Sequence, residues 1–93
     1  MKKTEEIDLE LANFKKYKII KLAKSLEMYD AIEADIPPQL KKSFDVFKKT
    51  TQVLIMEIHE SSQLTNPLKR RYKKVTKENE KFLKRVMDLL YEK

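Results

Sequence analysis

The chain has 93 residues, with 21 Lys or Arg against 15 Asp or Glu for a formal net charge of +6, and it contains no Gly, no Cys and no Trp. So short a chain builds at most one core. Without Gly it lacks the positive-φ positions that phosphate-cradling loops and dinucleotide-binding turns require, and without Cys it has no disulfide framework, thiolate metal site or cysteine nucleophile. Apolar residues make up 41% of the chain, too large a share for a disordered tail.

The opening, Met1-Lys2-Lys3-Thr4-Glu5-Glu6, pairs two lysines with acidic residues and leads into no apolar run. It does not read as a signal peptide. The longest apolar clusters, such as Val53-Leu54-Ile55-Met56, fall far short of the ~18–20 residues that cross a bilayer. A soluble, cytoplasmic protein is the expectation.

The first helix is predicted over residues 4–33, with Thr4 as cap and Glu5, Glu6 and Asp8 near the positive end of its dipole. Its apolar pattern has two phases. Ile7, Leu11 and Phe14 form one, and Ile19, Leu22, Leu26 and Tyr29 the other. The slip between Phe14 and Ile19 calls for a stutter or a local over-winding. A second apolar set, Leu9, Tyr17, Ile20, Met28 and Ala31, lies on the side away from Leu22 and Leu26. Single surface apolar residues are ordinary, but a helix apolar on two sides has neighbours on both. This face is therefore read as a protein interface, used for a homodimer or a partner helix, with Tyr17 and Ile20 as its anchors.

Asp35-Ile36-Pro37-Pro38 breaks the chain, because Pro lacks an N–H and pushes its predecessor out of the helical region. The second helix is predicted over 38–61 and the third over 67–91. Between them Thr65 or Asn66 serves as cap and Pro67 as the first helical residue. Both helices alternate steps of four and three. The second gives Leu40, Phe44, Phe47, Thr51, Leu54, Ile58 and Ser61; the third gives Leu68, Tyr72, Val75, Asn79, Phe82, Val86 and Leu89. That alternation is a bundle seam.

Folded back on one another, the two seams pair layer by layer, from Leu40 with Leu89, through Phe47 with Phe82 and Thr51 with Asn79, to Ser61 with Leu68. The numbers in every pair add to 129 or 130, as a short connection demands. Packing the first helix across the Pro37-Pro38 turn puts Leu26 near Phe44 and Leu22 near Phe47. The predicted fold is an all-α, antiparallel up-down-up three-helix bundle, a single domain over 1–93. Its core is Leu22, Leu26, Phe44, Phe47, Leu54, Ile58, Tyr72, Val75, Phe82 and Val86, and its spare face offers dimerisation into a larger helical bundle. The polar layer of Thr51 and Asn79, with Lys18 beside it, is read as a register device rather than a ligand site. On that reading Asn79→Leu raises stability while loosening register.

A second functional signal is charge. Residues 67–85 hold nine basic and two acidic side chains, so the rest of the chain is net −1. Arg70, Lys73, Lys74, Lys77, Lys81, Lys84 and Arg85 fall within about 60° of one direction, opposite the seam, over roughly 22 Å. Such a stripe spans several phosphates of a nucleic acid, but it is also an ordinary solubilising surface, with Glu78 and Glu80 at hand for local pairs. Only three of the 21 basic residues are Arg, which serves bidentate recognition poorly.

Chemistry is less well provided. His59 is the only histidine, Ser43, Ser61 and Ser62 have no evident base, and no carboxylate pair suggests acid–base work. No enzyme activity, metal or cofactor and no small-molecule substrate is expected. In size, basicity and helical character the chain is similar to small accessory proteins such as bacteriocin immunity proteins and phage or plasmid regulators, an analogy of fold alone. The expected function is that of an adaptor, inhibitor or immunity-type regulatory factor, with nucleic-acid binding by the third helix as the alternative.

Overall fold

The computed structural model describes the backbone of residues 2–91 and the side chains of residues 9–91. Three helices run side by side, α1 over Lys2–Ile32, α2 over Lys41–Glu60 and α3 over Asn66–Tyr91, with no strand among the described residues. The rod measures 58 × 20 × 18 Å. Cross-links fix the directions. Lys15 of α1 donates to the carbonyl of His59 in α2, and Lys48 of α2 reaches Asp30 of α1, so these two are antiparallel. Glu10 meets Lys69 and Lys21 meets Glu80, so α1 and α3 run the same way. The result is the up-down-up bundle that the seams predict.

The breaks fall where the prolines put them. One 3-10 turn, Glu33–Asp35, carries the chain out of α1; Ile36 and Pro37 are extended; a second, Pro38–Leu40, leads into α2. Because helical winding persists through Asp35, the turn is centred at Ile36-Pro37. That displaces α1 along α2 from the predicted register. Tyr29 meets Phe44, edge-on at 5.4 Å between ring centroids, and Leu26 packs against the same cluster. Leu22 packs with Leu54 and Ile58 instead of Phe47. At the other break, Thr65 is the cap, its hydroxyl accepting from the Leu68 N–H and its carbonyl from Lys69 N–H. α3 thus begins at Asn66, with Pro67 second, where a missing N–H costs nothing. α1 is already helical at Lys2, so Thr4 lies inside its first turn instead of capping it. The expectations for the side chains of Glu5, Glu6, Ile7 and Asp8 lie outside the described residues.

The α2–α3 layers hold along most of their length. Phe47 and Phe82 stack at 4.8 Å, Thr51 bonds to Asn79, and Leu54, Ile58, Tyr72 and Val75 share one cluster. Phe44, Phe82 and Val86 share the other, with Leu26 and Phe47 half-buried against it. The outermost layer fails. Leu89 is 52% exposed, because from Leu83 onwards the buried face of α3 rotates, and Leu83, Met87 and Leu90 join the cluster in its place. The slip in α1 is not taken up by the backbone either, since the helix is continuous. It is a change of neighbour. Phe14 turns to Tyr72 of α3, and Ile19 joins the cluster of Leu54 and Ile58.

Candidate functional site

The polar layer is the first candidate, and its own bonds close it. The Tyr29 hydroxyl donates to Asn79 Oδ1 at 2.7 Å, Asn79 Nδ2 donates to Thr51 Oγ1 at 2.8 Å, and the Thr51 hydroxyl donates to the Phe47 carbonyl at 2.8 Å. One side chain from each helix joins a chain of consistent polarity. All three are at most 1% exposed, and burial pushes the Tyr29 phenol well above its ordinary pKa of 10.0. Lys18 is not part of it. It points away from this layer, its ammonium 5.0 Å from the centre of the Tyr72 ring.

The outer face of α1 is open. Leu9, Tyr17, Ile20 and Met28 are 62, 62, 48 and 44% exposed, and Ala31 is exposed beside them. Val46, Val53 and Met56 of α2 are also exposed. The basic stripe is open too. Arg70, Lys73, Lys74, Lys77, Lys81, Lys84 and Arg85 are all exposed, and among the described residues none of them forms an ion pair with a carboxylate. The local pairs that Glu80 could supply do not form, because Glu80 turns to Lys21 of α1 at 3.9 Å. Arg71, off the stripe, is held by Glu57.

These two surfaces, separate in the sequence, meet at one groove of about 920 Å³. Its walls come from α1 between Glu10 and Lys18, α3 between Asn66 and Lys73, and Leu64 of the loop before α3. Tyr17 belongs to the apolar face, Arg70 and Lys73 to the stripe. Phe14 and Tyr72, edge-on at 5.8 Å, form the floor. The ion pairs Glu10–Lys69 and Lys21–Glu80 bracket it between the two parallel helices. The Tyr72 hydroxyl is buried with no hydrogen-bond partner among the described residues, as is that of Thr76 one turn on. Sequence reading did not find this groove. The phase slip in α1 was its signal, since it marks where the apolar side of the helix swings from α2 towards α3.

The remaining candidates stay scattered. His59 is exposed and offers its carbonyl to Lys15. Ser43 and Ser62 are exposed, and the Ser61 hydroxyl donates to the Gln63 carbonyl. No group of three or more His, Cys, Asp or Glu able to hold a metal occurs among the described residues. Lys48 bridges Asp30 at 2.8 Å and Glu33 at 3.2 Å, and these hydrogen bonds raise its pKa. It straps the end of α1 to α2 across the turn. No described helix is long and apolar enough to cross a membrane. No protein-family model matches the chain, and no curated protein or solved structure matches it either.

Proposed function

We propose that this chain is a small non-enzymatic interaction protein, an adaptor, inhibitor or immunity-type regulatory factor. It acts in the cytoplasm by contact through the outer face of α1. The observation that carries this reading is the exposure of Leu9, Tyr17, Ile20 and Met28 along one side of a helix whose other side is already packed. Their burial against a protein, or a second copy in a homodimer, is favourable by about 25 cal/mol per Å². Ile20→Glu puts a charge at the centre of that face. Light scattering of wild type and variant should show an assembly that the substitution dissociates while far-UV circular dichroism stays unchanged. A wild type monomeric at high concentration, with no bound protein lost on substitution, overturns the reading.

Nucleic-acid binding through α3 is the second reading, favoured by the seven stripe cations that no carboxylate neutralises among the described residues. Phosphate contacts release counterions, so that binding weakens steeply with salt, whereas an apolar helix contact tolerates it.

A further inference from the structure

We infer that the groove between α1 and α3 is a docking site for an acidic amphipathic helix of a partner protein, which would lie there as the fourth helix of the bundle. That the occupant is a protein rests on the function proposed above; its place and chemistry rest on the groove. The lining comes from α1, α3 and the loop before α3, with nothing from α2. So α2 fills one crevice of the parallel α1–α3 pair, and the groove is another. A crevice between two bundle helices is the shape that a further helix fills, by laying its apolar stripe inward. The walls span nine residues along α1 and eight along α3, a rise of about 11 Å at 1.5 Å per step, or two helical turns. That length receives side chains at i, i+3 or i+4, and i+7.

The chemistry of the rim selects among helices. Among the described residues Lys18, Lys69, Arg70 and Lys73 stand against the single acid Glu10, and Glu10 is engaged with Lys69. Lys18, Arg70 and Lys73 have no carboxylate partner among the described residues. A ligand that is apolar towards Phe14, Tyr17, Leu64 and Tyr72 and acidic at its flanks complements both layers. A second copy of this chain does not. α1 carries seven basic and six acidic residues, α2 four and three, and α3 nine and three, so that no helix of the chain is net acidic.

The test uses two fluorescein-labelled synthetic peptides of about four helical turns. One has Leu at i, i+3, i+4 and i+7 with Glu flanking; the other has the same composition with the leucines off any common face. Fluorescence anisotropy should show the in-phase peptide binding the full chain at least about tenfold more tightly than its control. The double variant Arg70→Glu/Lys73→Glu, both sites being exposed, should weaken it about tenfold again. Tyr17→Ser should weaken it by a smaller factor. Ile20→Ser lies outside the groove and should leave it within about twofold. No binding, or equal binding of the two peptides, overturns the inference. So does an oligonucleotide that binds more tightly than the in-phase peptide and is lost on the same double variant. If Ile20→Ser abolishes peptide binding and the groove variants do not, the docking site is the outer face of α1. The groove inference then fails while the interaction reading stands.

Discussion

Two tyrosines on adjoining helices divide the molecule. Tyr29, near the C-terminus of α1, is fully buried, donates to Asn79 in the middle of α3 and lies edge-on to Phe44. Tyr72, towards the N-terminal end of α1, is 7% exposed, lies edge-on to Phe14, and has no partner for its hydroxyl among the described residues. The middle is where all three helices contribute to one layer, so each polar group there finds a mate. At the other end α1 and α3 share a groove that α2 does not line. Aromatic floor, unmatched hydroxyl and unpaired cations collect there. The middle specifies which helices meet and in what register, while the end keeps surface free for contact.

The largest test of that difference is truncation of one aromatic in each region. Phe82→Ala should cost about 3–5 kcal/mol, because its ring is buried between Phe47 and Tyr29 and the cavity cannot collapse. Phe14 is half-buried against Tyr72, so Phe14→Ala should cost about 1–2 kcal/mol. Urea unfolding of both variants measures the gap. Equal losses would mean that the groove end is packed as tightly as the middle.

Asn79→Leu comes next in size, and here the structure reverses the expectation from sequence. With only Thr51 in view, removing the amide looks stabilising, since it removes a desolvated polar group. With Tyr29 in the layer, the substitution strands a buried phenol that has no other acceptor among the described residues. A loss of about 1–3 kcal/mol is expected. Tyr29→Phe in the same chain should recover much of it, and a double-mutant cycle measures the coupling. Additive losses would break the claim that the layer acts as a unit.

The helices, their breaks and most α2–α3 layers were legible in the sequence because they depend on local signals. Pro37 and Pro38 mark the first break and Pro67 the start of α3, and the seams of α2 and α3 match over five of seven layers. The place of α1 was less legible. It depends on where the chain turns at Ile36-Pro37, and a shift of one turn brings the Tyr29 ring onto Phe44. Tyr29 sat in the right phase, yet its hydroxyl could not be paired with Asn79, fifty residues away, until that register was known. Both surfaces of the candidate site were visible as helix faces. Their convergence on one groove was not, since which faces of α1 and α3 adjoin is a property of packing between helices.

The smallest effects distinguish the two tyrosines themselves. Tyr29→Phe deletes one buried, satisfied hydrogen bond and leaves Asn79 Oδ1 without its donor, a loss of about 1–2 kcal/mol near neutral pH. Tyr72→Phe deletes a hydroxyl that bonds to nothing among the described residues, and should be neutral or slightly stabilising. Alkali adds a second readout. The Tyr29 phenol has a higher pKa folded than unfolded, so the native state holds its proton more tightly. Its contribution is whole below pH 10 and declines as the pH rises above the unfolded value, by at most about 1.4 kcal/mol per pH unit. Lys48, whose pKa is raised by Asp30 and Glu33, has the same sign and adds to the decline at still higher pH. Urea midpoints between pH 9 and 11 should therefore fall in wild type and in Tyr72→Phe alike, and fall less in Tyr29→Phe. If Tyr72→Phe proved the costlier substitution at neutral pH, its hydroxyl would have a partner after all, and the groove end would be as fully bonded as the middle.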